Sequence, residues 1–165
     1  MIKNIFLIAV GLAALVVIAG QAGLLGGQRP ELGVVDGRLQ PPSPTPNSVS
    51  SQTHLHPGHP QAAYAAVDPL PLKAAGVAAS LRTLADVLQA MPGVTVVEQK
   101  DNYVRAQAQT RWLKFIDDLE FWIDPQVNPQ QARIEVRSAS RLGRKDFGVN
   151  RARLEAIRAA YLAAN

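Results

Sequence analysis

The chain contains no cysteine. This absence excludes disulfide bonds, thiolate metal sites, a cysteine nucleophile and the lipidated cysteine of a lipoprotein. Histidine is also scarce, since the chain has three and all of them lie between residues 54 and 59. Charged residues make up only 18% of the 165 residues and hydrophobic residues 47%. This balance fits one modest domain beside an additional apolar segment.

The apolar surplus lies near the start of the chain. Residues 5–25 are apolar except for Gln21, and a helix of this length spans roughly 30 Å, the thickness of the hydrocarbon core of a bilayer. We predict a transmembrane signal anchor over residues 1–27, placed in the inner membrane. Because long domains that follow such an anchor translocate largely regardless of charge, we expect the rest of the chain in the periplasm. Lys3, Gly20 and Ala22 leave open a cleaved signal, which would make the domain secreted.

Residues 28–71 are predicted to be a proline-rich linker. Nine of the 12 prolines lie in residues 26–71, and proline at this density favours extended polyproline II conformation. His54, His56 and His59 form a His-rich insertion inside this segment. Imidazole nitrogens suit zinc and copper, so these histidines are the candidates for a metal site. The alternative is a solvated linker that happens to be rich in histidine, and no cofactor is predicted.

The folded domain is predicted to occupy residues 72–165. Residues 77–91 carry apolar side chains at helical spacing, and Pro92 and Gly93 end this helix. Strand-like alternation follows in residues 94–98, 103–110, 118–124 and 133–138, and helical spacing returns over residues 150–163. Because the strands follow one another directly, we predict an α+β fold: a small antiparallel four-stranded sheet with two helices packed on one face.

The other face of this sheet is predicted to be charged. Its cations are Arg105, Arg133 and Arg137. Its carboxylates are Asp118, Glu120, Asp124 and Glu135. Opposite charges on neighbouring strands stabilise one another and need no ligand. The alternative is an acid–base pair or a hard-metal site among Asp117, Asp118, Glu120 and Asp124, which no partner motif supports.

The most basic part of the chain is its end, with eight Lys and Arg against three Asp and Glu from residue 130 onward. Residues 137–153, which we call the corner, are predicted to form a strand end, a loop and a helix start. Arginines in a first helical turn oppose the helix dipole unless a negative group compensates. An external anion would be bound by Ser138, Ser140, Arg141, Asn150 and Arg151. An internal network would instead join Arg137 and Arg153 to Asp117, Asp118 and Asp146.

Four segments in the same order carry a family resemblance. They are residues 46–52 (PNSVSSQ), 115–121 (FIDDLEF), 137–141 (RSASR) and 146–153 (DFGVNRAR). From about residue 46 to residue 161 the chain resembles the bacterial and chloroplast-lumen family catalogued as domain of unknown function 1499. The resemblance implies an exported or lumenal domain and brings no established activity or catalytic residues. That family commonly reads PNCVSS in the first segment, so Ser48 stands where a thiol is common.

Together these patterns favour a membrane-tethered binding or assembly module rather than a catalyst. The expected partners are the membrane, through the N-terminal helix, and an anionic lipid or an acidic protein at the corner. Nucleic acid is not expected, because no recognition motif is present. The alternative is a periplasmic hydrolase built from serine, histidine and an acid. Ser48, Ser50 and Ser51 precede His54 and His56, but the chain has no nucleophile elbow.

Overall fold

The computed structural model describes residues 2–164. Its first element, helix α1 (Ile2–Gln21), has 20 residues and is long and apolar enough to cross a membrane. A membrane anchor and a signal sequence both have these properties. The helix ends at Gln21, and a turn takes the chain through the remainder of the predicted apolar run.

The rest of the chain forms an α+β unit built on antiparallel sheets. Its helices are α2 (Ala62–Ala65), α3 (Val77–Ala90) and α4 (Val149–Ala163), with a short 3-10 helix at Thr53–Leu55. Its strands are β1 (Val34–Val35), β2 (Arg38–Leu39), β3 (Ser48–Ser50), β4 (Leu70–Pro71), β5 (Val94–Lys100), β6 (Tyr103–Gln109), β7 (Ile116–Trp122) and β8 (Arg133–Ser140). Strands β3, β8, β7, β6 and β5 lie side by side in that order, and β4 also pairs with β8.

The alternation of residues along the strands places one core on the helix side of the sheet. Leu119 and Phe121 of β7 and Val136 of β8 are fully buried there. The same cluster contains the apolar faces of the two long helices, namely Leu81, Leu84 and Leu88 of α3 with Leu154, Ile157 and Tyr161 of α4. The prediction of an antiparallel α+β unit is therefore confirmed.

The main sheet has six strands, and the prediction of four is wrong. The two additional strands, β3 and β4, come from residues 28–71, which we had assigned to a linker. Both pair with the edge of β8 that β7 leaves open, through Val49 opposite Ser138 and Leu70 opposite Ile134. Val49 and Leu70 are fully buried, so their burial holds these short strands in place. Residues 48–71 therefore belong to the folded domain rather than to a spacer.

Residues 28–43, which we call the strap, cross the charged face of the sheet. The strap contains the hairpin β1–β2, and Leu39 at its end packs against Tyr103 and Trp122. Its main chain also forms hydrogen bonds with side chains of the charged face. The N–H of Gly33 donates to Glu120 at 2.6 Å, and the carbonyl of Pro41 accepts from Arg137 at 3.3 Å. Both faces of the sheet are thus covered, one by helices and the other by the strap.

Candidate functional site

The start of α4 is held by a carboxylate of the chain itself. Asp146 lies three residues before the helix, and its two oxygens accept the main-chain N–H groups of Gly148 at 3.0 Å and Asn150 at 3.2 Å. The hydroxyl of Tyr64 donates to the same carboxylate. Burial alone would raise the pKa of Asp146, but these hydrogen bonds outweigh it and lower the pKa below its ordinary value. The negative group that the helix start requires is therefore internal.

Asn150 joins four parts of the chain at this position. Its side-chain amide donates to the carbonyl of Asn47 at 3.2 Å, to Ser140 at 3.0 Å and to Asp146 at 2.9 Å. Its side-chain oxygen accepts the hydroxyl of Ser138. Both Asn150 and Ser138 are fully buried. Their polar atoms are consequently engaged within the protein and do not face solvent.

Three arginines of the corner end on carboxylates of β7. The ion pairs are Arg137 with Glu120 at 3.1 Å, Arg141 with Asp118 at 2.7 Å and Arg153 with Asp117 at 2.8 Å. The contact between Arg141 and Asp118 is bidentate, the strong form of this interaction. Hydrogen bonding to Asp118 also raises the pKa of Arg141. Arg151 donates instead to the carbonyl of Tyr64.

The residues of the anion-site alternative have partners within the protein. Ser138 and Asn150 are buried and bonded to each other, Arg141 is paired with Asp118, and Arg151 is bonded to a carbonyl. Ser140 accepts from Asn150. The carboxylate of Asp146 occupies the start of α4 and supplies the negative charge that a bound anion would otherwise bring.

The carboxylates of the charged face are likewise engaged. Glu120 is fully buried and accepts from the main chain of Gly33, from the hydroxyl of Tyr103 at 2.8 Å and from Arg137. Burial and the nearby Glu120 raise the pKa of Tyr103, so this phenol stays neutral. Asp117 lies on the helix side of the sheet, away from this group, and pairs with Arg153. The acidic residues of β7 therefore do not converge on one metal or substrate.

The three histidines lie between β3 and α2, on the surface of the folded domain. His54 is exposed, and His56 and His59 are half-buried. The ring nitrogen Nδ1 of His59 accepts the main-chain N–H of Gln61 at 3.1 Å. Burial lowers the pKa of His56, with further lowering by Arg38 and the other two histidines. Within residues 2–164, no three His, Cys, Asp or Glu side chains are grouped so that they could hold a metal ion.

The serines near the histidines have other partners. Ser48 accepts the N–H of Ser43 at 2.7 Å, and Ser50, which is fully buried, accepts the N–H of Gln52 at 3.1 Å. Ser51 donates to Glu135 and accepts the N–H of Val136. In the part of the chain that the structure describes, none of these hydroxyls is hydrogen-bonded to a histidine. The hydrolase alternative therefore lacks the pair of nucleophile and base that it needs.

Comparison with known families places these features in context. A family model described as "Protein of unknown function (DUF1499)" matches residues 38–161. The chain belongs to this family. The match includes the whole main sheet and most of α4, and it begins inside the strap. Comparisons with curated proteins and with solved structures give no match.

This DUF1499 domain also has an exposed surface where α1 leaves it, and part of that surface belongs to the corner. We call this the exit surface; it consists of residues 110–115, between β6 and β7, and residues 141–149, which join β8 to the first residue of α4. The side-chain amide of Gln21 donates to the carbonyl of Trp112 at 2.7 Å. The backbone of Gly20 lies so close to Leu113 that a Cβ at that position would be 2.6 Å from the Leu113 carbonyl oxygen. The end of α1 thus rests on the first loop.

The second loop lies beside the first. The N–H of Arg141 donates to the carbonyl of Ile116 at 3.0 Å, which holds the two loops together. Gly27 also lies close to this loop, since a Cβ at that position would be 2.8 Å from the Cβ of Arg141 and 2.9 Å from the Cγ of Leu142. Both halves of the exit surface therefore lie at the same end of the sheet as the end of α1.

Apolar and basic side chains are exposed together on the exit surface. Trp112 is 63% exposed and Phe147 is 92% exposed. Phe115, Leu142 and Val149 are also exposed. Arg111, Arg144 and Lys145 are exposed cations, and Lys114 is half-buried. None of the four forms an ion pair within residues 2–164. Asp146 is the only carboxylate in these loops and is buried, so the exposed charge is entirely positive.

Sequence reasoning missed the first half of this surface. The available signal is the run of residues 111–115 (RWLKF), which mixes basic residues with large apolar ones. An isolated loop of this composition is common, however, and only the topology shows that it lies beside α1. In the second half the sequence directed attention to the start of α4, which is buried, whereas Arg144, Lys145 and Phe147 of the same loop are exposed.

Proposed function

We propose that the chain is a single-pass, membrane-tethered, non-catalytic binding module, and that its exit surface lies on the anionic headgroups of the bilayer that holds α1. The observation that carries this proposal is the exposure of aromatic and unpaired basic side chains around the end of an apolar helix. Aromatic residues favour the interface between membrane and water, and basic residues favour anionic headgroups.

The energies involved are sufficient for a tethered domain. Four cations at about 1 kcal/mol each give roughly 4 kcal/mol. This value corresponds to a dissociation constant of about 1 mM. A short tether supplies an effective concentration in the millimolar range, so attraction of this size keeps the domain on the surface for a large part of the time. Exposed apolar side chains such as Trp112 and Phe147 add to this attraction by leaving water.

We further propose that the domain lies on the exported side, in the periplasm, and that α1 stays attached in the inner membrane. The resemblance to an exported or lumenal family supports the location. Two observations support attachment. Gln21 at the end of α1 is hydrogen-bonded to the first loop. In addition, cleavage after α1 would leave the exposed apolar residues of the exit surface without a nearby membrane. The acidic protein partner that we considered is less well supported, since the exposed cations surround the membrane helix.

Fluorescence quenching by lipids tests the proposal. The full chain would be placed in nanodiscs of phosphatidylcholine with or without phosphatidylglycerol, using acyl chains brominated close to the headgroup. We expect tryptophan quenching that increases when phosphatidylglycerol is present. The variant W112F should lose this quenching, because the remaining Trp122 is buried at the other end of β7.

A matched pair of double variants separates charge at the exit surface from charge elsewhere. R144Q/K145Q removes two of the four cations and should clearly reduce the part of the quenching that depends on phosphatidylglycerol. R82Q/R133Q removes the same charge from exposed positions on α3 and on the far end of β8, and it should leave the quenching unchanged. Equal quenching in the two double variants, or quenching that does not depend on phosphatidylglycerol, would contradict the proposal.

A further inference from the structure

Phe147 is more exposed than any other large apolar residue in the described chain. It is 92% exposed, whereas Ile2 at the start of α1 is 83% exposed. Single exposed apolar residues are common on protein surfaces and need no ligand to explain them. The backbone of Phe147, however, is unusual as well.

This backbone has a left-handed conformation. The φ angle of Phe147 is 53°, and a bulky side chain is rare in this region because its Cβ lies too close to the following carbonyl oxygen. Of the three non-glycine residues with positive φ in residues 2–164, two lie on the exit surface, namely Phe147 and Lys114. The third, Asp36, lies in the two-residue turn between β1 and β2, where such angles are usual. Strained residues of this kind cluster at sites that bind a ligand.

Hydrogen bonds hold Phe147 in this conformation from both sides. The N–H of Asp146 donates to the carbonyl of Pro46 at 3.1 Å. The side chain of Asp146 accepts the N–H groups of Gly148 at 3.0 Å and Asn150 at 3.2 Å. The ring is therefore presented on a fixed turn, so that moving it into an apolar phase requires little further ordering of the backbone.

The first loop of the exit surface is held in a similar way. The N–H of Thr110 donates to the carbonyl of Phe115, and the N–H of Phe115 donates to Oγ1 of Thr110, both at 3.0 Å. These bonds close the loop at its base and leave Trp112, which is 63% exposed, between them. Both loops thus expose an aromatic ring on a hydrogen-bonded turn.

The surroundings of Phe147 indicate which phase covers its ring. The loop that carries it lies beside the end of α1, a helix that is apolar enough to cross a membrane. Arg144 and Lys145 of the same loop are exposed cations, which favour the depth of anionic headgroups. Apolar residues of interfacial segments, phenylalanine among them, are buried at the boundary between headgroups and acyl chains. A bilayer therefore suits the ring and the cations together, whereas an acidic protein would match only the cations.

We propose that Phe147 inserts its ring between the lipid headgroups, down to the start of the acyl chains, and so fixes the orientation of the domain on the bilayer. This inference rests on the proposed docking of the exit surface and adds an apolar anchor to it. The helix α1 and Phe147 would then be two separate points of attachment, so that the domain would not turn freely about the axis of α1.

Tryptophan substitution tests the depth of position 147. The variant W112F/F147W carries a tryptophan there, and W112F/L162W carries one at an exposed apolar position near the other end of α4, about 20 Å away. Trp122 is buried and gives the same background in both variants. The full chains would be placed in nanodiscs of phosphatidylcholine and phosphatidylglycerol with acyl chains brominated close to the headgroup. The emission of W112F/F147W should be quenched severalfold more strongly than that of W112F/L162W, and it should shift to shorter wavelength because the indole leaves water.

Removal of the ring tests its contribution to docking. With Trp112 as the reporter, F147A should lower the ratio of docked to undocked domain about tenfold, as expected for the loss of one buried phenylalanine side chain. F147G should lower this ratio by a similar factor, although glycine suits the left-handed backbone better than phenylalanine. Its loss of docking would therefore not arise from backbone strain. L162A, the matched control, should leave the ratio unchanged.

The two sets of variants separate insertion from docking. Equal quenching of W112F/F147W and W112F/L162W, or equal docking of F147A, F147G and L162A, would overturn insertion. If Trp112 of the unaltered chain still showed quenching that depends on phosphatidylglycerol, the proposed docking would stand without it. If Trp112 showed no such quenching, docking itself would be wrong, and insertion would be rejected with it.

Discussion

At the level of single residues, Asp146 shows how a charged loop becomes part of the structure. Its carboxylate accepts main-chain N–H groups at the start of α4 and the hydroxyl of Tyr64, and it is buried. The basic residues around α4 suggested that a negative group must be present there. They left open whether that group is internal, with Asp146 among the candidates, or an external anion, because the answer depends on how the loop folds back between residues 141 and 149.

Replacement of Asp146 by asparagine should lower the free energy of unfolding by roughly 1–3 kcal/mol near neutral pH. The effect should depend on pH with a definite sign. Because the folded pKa of Asp146 lies below its ordinary value of 3.8, its stabilisation is complete above about that pH and declines as the pH falls through the folded pKa. The wild-type advantage over D146N should therefore shrink in acid. Urea unfolding of the full chain in detergent, followed by tryptophan fluorescence, measures the difference.

D86N is the matched control for this prediction, since Asp86 is an exposed carboxylate on α3 outside the ion pairs of the described chain. It should change the free energy of unfolding by less than about 0.5 kcal/mol. If D146N behaved like D86N at every pH, the hydrogen bonds of Asp146 would not be stabilising α4.

At the level of elements, the start of α3 depends on a side chain inside the helix rather than on a cap. Gly76, which precedes α3, offers no capping side chain. Ser80 is fully buried, donates to the carbonyl of Gly76 at 2.7 Å and accepts the N–H of Lys73 at 2.8 Å. One hydroxyl therefore connects the helix to the segment that follows β4.

Ser80→Ala should destabilise the protein by roughly 1–3 kcal/mol, because it leaves the N–H of Lys73 without its partner in a partly buried position. T83A removes a hydroxyl from the same helix at a half-buried position and should have a much smaller effect. Urea unfolding measures the loss in the free energy of unfolding for both variants. Equal losses would mean that the hydroxyl of Ser80 is not the element that positions the helix.

The elements that sequence patterns predicted are those with enough residues to show a period. Strands β5 to β8 have seven or eight residues each, and α3 and α4 have 14 and 15. Strands β3 and β4 have three and two, too few for alternation to be visible. Pro71 is tolerated in β4 because that strand lies at an edge of the sheet, where a missing N–H is not needed. The proline content therefore hid two strands that burial and pairing with β8 maintain.

At the level of the whole molecule, the sheet is the middle layer, with the helices on one face and the strap on the other. The charged face was predicted from alternation, and its residues were expected to pair across strands. A covering segment was not predicted, because nothing local in residues 28–43 indicates which surface they contact. Leu39 is the residue that fixes the strap, since it is almost fully buried against Tyr103 and Trp122.

Leu39→Ala should cost about 2–4 kcal/mol, the usual range for a large apolar side chain removed from a core. Because the cavity forms under the strap, we also expect faster hydrogen exchange of the Gly33 N–H, which is bonded to Glu120. V35A removes an apolar side chain that is 54% exposed on the same hairpin and should change neither quantity appreciably. Unchanged exchange at Gly33 in L39A would show that Leu39 does not hold the strap on the sheet.

The route of the strap also determines how the domain would respond to force. It leaves the exit surface beside Arg141, crosses the sheet, and returns to the same end, where the side chain of Asn47 donates to Gly143. A pull on α1 would therefore load the strap from one end and peel its contacts in turn, the bond of Gly33 before the packing of Leu39. The force would act on β3 only afterwards. It would then be directed along the strand, so that the hydrogen bonds between β3 and β8 would resist it together. The strap would thus extend under tension while the sheet stayed folded.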